Sequence, residues 1–337
     1  GILLVDKPSG VTSFKVVDHV RRQLVKTFPE LDSRRGNRRP RGAPKPPRFK
    51  CGHAGTLDPL ASGLLVILVG KGSRLSPFLM GLDKTYAATV RFGAATDSLD
   101  RDGQVVLEAS IPEDPGLLEA ALSGFRGEIM QVPPVISALK RDGKALYKRV
   151  RAGEDVAEPD ARPVTIHQLE LEQVRWPGEK DGRFVYEADL VVSCSSGTYI
   201  RSLARDLAQA AGTEGHIQEL RRLRVGPFEV EGTLEGVMDL NGTVLAGAML
   251  PLAAGLPHVP DLVLDDVEAA LVRQGGQPQT DWLARLSAAP VASGKTGPLF
   301  KLVTGDGELV AVVQVDPETG IPRTSAVIPA NPLEPGD

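Results

Sequence analysis

The period of the apolar positions marks the elements of this chain. Gly1 to Val5 is unbroken apolar sequence closed by Lys7-Pro8-Ser9-Gly10, the pattern of a buried strand running into a turn. Thr12 or Ser13 then caps a helix, with Phe14, Val17, Val20 and Leu24 at helical spacing. Gly63 to Gly70 is a continuous apolar run, which predicts a central strand. A short helix over 73–80 and an alternating strand over 85–92 follow. Helical spacing recurs at 115–122 and 139–151, and strand patterns at 164–174 and 184–193. Ile200, Leu203, Leu207 and Ala211 predict an amphipathic helix over 199–211. Prolines at 251, 257 and 260 mark a linker. Beyond it, short apolar runs at 262–264, 300–303, 309–315 and 326–328 suggest a small β-rich domain.

Charge changes this picture locally. The 337 residues carry a net charge of -4, from 39 basic and 43 acidic residues, which taken alone argues against a polyanionic partner. Eight of the basic residues, however, lie between Arg34 and Lys50 with no acid among them. The segment 28–50, with prolines at 40, 44, 46 and 47, reads as an exposed basic loop. The longest apolar run, Leu64 to Val69, is far shorter than the roughly 18 residues of a membrane span. The opening residues lack the pattern of a secretory signal. Two cysteines, Cys51 and Cys194, fit a reducing cytosol better than a disulfide framework.

Most generic chemical motifs fail. Gly70-Lys71-Gly72-Ser73 follows an apolar strand, but a phosphate-binding loop needs an earlier glycine where Leu65 stands and a hydroxyl where Gly72 stands. Gly70-x-Gly72 lacks the third glycine of a dinucleotide fingerprint. Cys51-x-His53 has no companion at ligand spacing, since His19, His167, His216 and His258 are scattered. No Gly-x-Ser-x-Gly elbow is present. No metal and no cofactor is expected. Asp58 is more informative. An Asp-Pro pair is ordinarily a turn former, but this one follows His53 and two glycines, which let a ligand approach the backbone. The apolar strand behind it would hold a carboxylate firmly, as a nucleophile requires.

The run from Gly52 through Asp58 to Leu65 resembles the catalytic signature of the bacterial tRNA pseudouridine synthase B (TruB) family. Further stretches resemble the family in the same order: residues 1–13, Lys84-Thr85-Tyr86, residues 93–98, Gln131-Val132-Pro133-Pro134, residues 137–140, residues 143–147, residues 196–203 and residues 220–223. The match spans roughly residues 1 to 250, and the C-terminal portion resembles a PUA-type domain. The resemblance implies an α/β (α+β) catalytic domain around a central mixed, largely antiparallel sheet over 1–255, including the basic insertion 28–50. A small PUA-like β domain over 256–330 and a tail over 331–337 complete the chain.

The implied reaction is isomerisation of uridine 55 in the tRNA T-loop, breaking N1–C1′ and joining C5 to C1′. Nothing is oxidised and no group is imported. By the resemblance Asp58 is the catalytic carboxylate, able to attack C1′ or C6. Tyr86 stacks on the target base, and Tyr199 belongs to the pocket. Arg201 pairs with the aspartate, Leu220 lines the base pocket, and His53 fills the space the flipped base leaves. Flipping is required because C1′ and C5 of a stacked base are inaccessible. Phosphate contacts are expected from Arg34, Arg35, Arg38, Arg39, Arg74, Lys84, Lys140 and Lys144, with Arg141, Lys148, Arg149 and Arg151 nearby. The partner implied is the tRNA T-stem-loop, for a cytoplasmic monomer without membrane attachment.

The chain departs from the family in its insertion, in Ala54 where threonine is common, and in its last third. From Pro251 onward five basic residues face eleven acids, an unusual balance for an RNA-binding module. Three other readings compete. A non-catalytic RNA-binding or chaperone protein would not need Asp58, Tyr86 and Arg201 together. A glycosidase-like hydrolase would need a second carboxylate, which no motif supplies. A P-loop enzyme fails on spacing.

Overall fold

The computed structural model describes residues 1–31, 49–137, 140–141, 144–145, 149, 154, 156–180, 183–286, 289–293 and 296–330. The chain forms two compact units. One comprises Gly1–Asp58, Gly63–Leu82 and Gly226–Asp337, the other Pro59–Ser62 and Asp83–Val225.

In the first unit, β1 (Ile2–Lys7) and β2 (Cys51–His53) both pair antiparallel with β3 (Ser62–Val69). The continuous apolar run of β3 is buried from Gly63 onward, which explains why it shows no alternation. Helix α1 (Ser13–Thr27) is capped by Thr12, whose side chain accepts from the Lys15 N–H at 3.1 Å. Its buried stripe is Val16, Val17, Val20, Leu24 and Val25, so Phe14, expected in the core, lies outside the stripe and is 73% exposed. A 3₁₀ turn over Gly70–Leu75 leads into α2 (Ser76–Met80). The basic stretch 32–48 lies outside the described residues.

The second unit contains β4 (Lys84–Phe92), the hairpin of β5 (Ala94–Thr96) and β6 (Val105–Glu108), α3 (Gly116–Leu122) and β7 (Gly127–Gln131). A short ladder pairs β8 (Lys140–Arg141) with β9 (Lys144–Ala145). This ladder stands in the first part of the stretch 139–151, where helical spacing predicts a helix, and Arg149 further along is helical. Long strands β10 (Arg162–Lys180) and β11 (Arg183–Cys194), helix α4 (Ile200–Ala210) and strand β12 (Gly215–Val225) complete the unit. Its strands run in the order β12-β4-β11-β10-β7, antiparallel at every step. Ile200, Leu203 and Leu207 form the buried face of α4, as their spacing predicts, and α4 packs on β12.

The remainder of the first unit begins with β13 (Phe228–Glu229) and α5 (Gly242–Gly247), which packs against α1. Only glycine fits at 242, because a Cβ there would stand 2.4 Å from the Gln23 carbonyl oxygen. The proline-rich 249–260 segment is not a loose linker at its start, since Ile2 and Leu250 exchange backbone hydrogen bonds of 3.1 and 2.8 Å. Next come β14 (Asp261–Val263), α6 (Asp266–Arg273), β15 (Val291–Ser293), β16 (Thr296–Val303), β17 (Leu309–Val315) and β18 (Pro322–Val327). They form a second sheet in the order β14-β16-β17-β18, with β15 on β16 and only β14–β16 parallel. Leu262, Val272, Trp282, Phe300, Leu302 and Val313 belong to its own apolar cluster. This is the small C-terminal β domain the apolar runs suggest, with one capped helix they do not reveal.

Candidate active site

Asp58 sits on the turn between β2 and β3, two strands that pair directly. Gly55 adopts φ +114°, a conformation that side-chain-bearing residues rarely enter, and so lets the chain leave β2 toward Asp58. The turn is also locked from a distance. The buried Ser13 hydroxyl donates to the Leu57 carbonyl and accepts from the Leu57 N–H, both at 2.9 Å, across 44 residues of sequence. Leu57 is buried, while Asp58, its neighbour, is half-buried. Rigid backbone carrying a partly accessible carboxylate is what a positioned nucleophile needs. His53, half-buried at the end of β2, is held opposite Ile67. Ala54 is fully buried and donates its N–H to Val66 at 2.9 Å.

The other expected site residues lie in the second unit. Tyr86 is buried on β4, opposite Val192 of β11 and Arg222 of β12. Leu220 is buried on β12 opposite Ala88 of β4, so the two side-chain positions belong to neighbouring strands. Tyr199 is the N-cap residue of α4, and Arg201 lies in that helix's first turn.

Arg201 is only 3% exposed, and its guanidinium is well held. It donates to the Ser98 carbonyl at 2.7 Å and the Ile136 carbonyl at 3.1 Å, and lies 3.7 Å from the Asp100 carboxylate. Asp100 is itself buried and accepts from the Ser98 hydroxyl at 2.6 Å and the Asp102 N–H at 3.1 Å. Between Ser98 and Asp100 stands Leu99 at φ +61°, the sole non-glycine residue with positive φ among those described. Such a residue costs of order 1–3 kcal/mol. The cost accompanies a turn that offers one guanidinium both a carbonyl and a carboxylate. Sequence reasoning missed Asp100. The signal was present, since the family-like stretch 93–98 ends two residues short of it.

The candidate phosphate contacts separate. Arg74 is exposed on its 3₁₀ turn. Lys84 is buried, and burial, aided by nearby Arg222, pulls its ammonium down to about 8, against weaker upward pulls from Cys194 and Asp83. A desolvated lysine of this kind is not a surface cation. Lys140 and Lys144 lie on the short β8–β9 ladder. Arg34, Arg35, Arg38 and Arg39 lie outside the described residues, as do Lys148 and Arg151. Among the described residues no three His, Cys, Asp or Glu side chains cluster as metal ligands. No helix among them is long and apolar enough to cross a membrane.

Residues 44–200 match the family described as TruB family pseudouridylate synthase (N terminal domain). Residues 201–256 match tRNA pseudouridylate synthase B C-terminal domain. The chain is 42% identical over 323 residues to tRNA pseudouridine synthase B of Corynebacterium diphtheriae, covering 94% of this chain and 95% of that one. The chain belongs to the TruB family. Two more members carrying the same name are similar. That of Novosphingobium aromaticivorans is 42% identical over 87% of this chain and 92% of its own, and that of Aromatoleum aromaticum 40% over 82% and 80%. Among solved structures, a chain of a Cbf5–Nop10–Gar1 complex superposes with a TM-score of 0.65 at 25% identity, covering 97% of this chain and 84% of that chain. The expected residues fall as follows: His53 at the end of β2, Asp58 on the β2–β3 turn, Tyr86 on β4, Tyr199 and Arg201 at the start of α4, and Leu220 on β12.

Proposed function

We propose that this chain is a tRNA pseudouridine synthase that isomerises uridine 55 of the T-loop, with Asp58 as the essential carboxylate. The observation that carries the reading is its near full-length similarity to proteins named tRNA pseudouridine synthase B, 42% identical over 94% of this chain in one case. The site geometry supports it, because Asp58 rides on backbone pinned by Ser13 and Arg201 is fixed by Asp100.

The reaction is a balanced isomerisation. Asp58 attacks C1′ or C6 of the flipped uridine, and the N1–C1′ bond breaks with its electron pair passing to the uracil. The uracil turns so that C5 faces C1′, the C5–C1′ bond forms, and the carboxylate is released. The proton on C5 is lost and N1 gains one, so the formula is unchanged. Tyr86 stacks on the base, and Leu220 and Tyr199 shape its pocket. Arg201 supplies a fixed guanidinium charge. His53 takes the place of the flipped base.

The catalytic domain spans 1–255, with a PUA-like domain over 256–330 and a tail over 331–337. The separate apolar cluster of the C-terminal sheet supports that division. Arg74 contacts RNA phosphate, and the basic stretch containing Arg34, Arg35, Arg38 and Arg39 adds to that contact. The enzyme acts as a cytoplasmic monomer, a reading that the free thiols Cys51 and Cys194 support as to compartment. The test is an unmodified tRNA transcript treated with the protein and mapped for pseudouridine by carbodiimide and primer extension. A single new stop one nucleotide 3′ of position 55, reporting pseudouridine at 55 and absent from a transcript carrying cytidine there, is expected. A stop elsewhere only, or none, would overturn the assignment.

A further inference from the structure

Tyr199 is held by two side chains to which the reaction gives no role. Gln131, at the end of β7, is fully buried. Its amide nitrogen donates to the Tyr199 carbonyl at 3.1 Å, and its amide oxygen accepts from the Tyr199 N–H at 2.8 Å. That N–H precedes the first turn of α4 and has no partner within the helix. The Tyr199 carbonyl also accepts from the Leu203 N–H at 3.1 Å. Arg162, at the start of β10, stands directly opposite Gln131 in the antiparallel register. Its guanidinium lies 5.1 Å from the centre of the Tyr199 ring and donates to the carbonyl of Gly197.

We propose that Gln131 and Arg162 are positioning residues for this reaction, acting together as a clamp on Tyr199. Gln131 fixes its backbone and Arg162 fixes its ring. The inference rests on the reading of Tyr199 as a pocket residue. The clamp also sets Arg201, because Tyr199 opens the helix whose first turn carries that guanidinium. The same strand end continues the stitching, since the Val132 carbonyl accepts from the Ser202 hydroxyl at 2.8 Å and from Arg205 at 3.2 Å. Reciprocal amide bonds to both polar groups of one residue hold it in translation and in rotation. A cation over the ring face adds a preference for one ring orientation.

The full chain is tested with T-loop RNA tritiated at uracil C5, measuring kcat and KM. Gln131→Met removes both bonds with little change of size. It is expected to lower kcat about 10- to 100-fold with KM within about threefold, the scale of a displacement near 1 Å at a reactive site. Arg162→Met is expected to lower kcat about threefold to tenfold, again with little change in KM. Gln131→Glu separates positioning from plain stability. A protonated carboxyl group offers one donor and one acceptor, as the amide does, whereas a carboxylate only accepts. Burial raises such a carboxyl group toward neutrality. The ratio of its kcat to that of the unsubstituted protein should therefore rise at least threefold as pH falls from about 8 to 6. Incorporated 3-fluorotyrosine gives an independent reading, with the Tyr199 resonance identified by Tyr199→Phe and expected to move in both Met variants.

Normal kcat in a folded Gln131→Met protein, or a pH-independent Gln131→Glu ratio, would overturn the proposal. If Gln131→Met does not fold, the Gln131→Glu ratio and Arg162→Met decide. A Tyr199 resonance that moves while kcat is unchanged would show a clamp without a positioning role. Absence of tritium release by the unsubstituted protein would instead sink the functional reading, and the fluorine spectrum would still report whether the clamp exists.

Discussion

Replacing Ser13 by alanine tests how Asp58 is held. The hydroxyl is buried and serves both backbone groups of Leu57, so its loss leaves a buried N–H and a buried carbonyl without that partner. Each such group costs about 1–3 kcal/mol when left unsatisfied. Partial relaxation brings the expected total to about 2–4 kcal/mol, a large share of the roughly 5–15 kcal/mol that holds a domain folded. For units of this size that corresponds to a drop in melting temperature of about 5–15 °C. Catalysis should suffer separately, because Asp58 follows Leu57 directly. A tenfold or greater fall in kcat, with KM for T-loop RNA nearly unchanged, is expected from tritium-release kinetics. Thr12→Ala is the matched control. It removes the α1 cap, worth about 1 kcal/mol, without touching Leu57. It should lower the melting temperature slightly and leave kcat alone. Unchanged kcat in Ser13→Ala, or an equal loss of kcat in Thr12→Ala, would refute the idea that Ser13 seats the carboxylate.

Further expectations follow from the same geometry. Arg74→Gln should reduce the slope of log binding constant against log salt by about one, since exposed Arg74 is a candidate phosphate contact, whereas Lys84→Gln should leave that slope unchanged because Lys84 is buried. Equal effects of the two would contradict the distinction. Leu99→Val should lower the melting temperature, because a β-branched side chain tolerates φ +61° poorly, and an unchanged melting point would remove the strain argument. His216 is held below the ordinary histidine range by burial, although the Ala94 carbonyl 2.8 Å from its ring and nearby acids pull the other way. The unfolded chain therefore takes up this proton first. The contribution of His216 is present above about pH 6.5 and is lost as pH falls below it. Urea midpoints between pH 7.5 and 5 should fall in the unsubstituted protein and fall less in His216→Gln, with His258, also lowered mainly by burial, supplying part of the remainder. Identical slopes would refute the assignment.

What the sequence reveals depends on whether the controlling contacts are local. The buried run of β3 and the 3.6-residue stripe of α4 are legible because burial on all sides, or on one face, writes itself into consecutive residues. Strand β12 is not legible. Ile217, Leu220 and Leu223 stand three apart, which mimics a helix, and register shifts between Ile217 and Glu219 and between Arg222 and Arg224 break the alternation that would mark a strand. Phe14 fits a helical spacing, yet the true stripe of α1 begins at Val16. At the site, residues placed by motif are easy to name, whereas the residues that hold them are not. Ser13 reaches Leu57 across 44 residues and Gln131 reaches Tyr199 across 68. Side chain to backbone bonds at such range leave no pattern in either local stretch.

The measurement that bears most directly on the central claim is tritium release from T-loop RNA labelled at uracil C5, comparing the unsubstituted protein with Asp58→Ala and Asp58→Asn. Stoichiometric release is expected from the unsubstituted protein and none above background from either variant, with both variants still folded and still binding the RNA. Release by Asp58→Ala at a rate near that of the unsubstituted protein would contradict it.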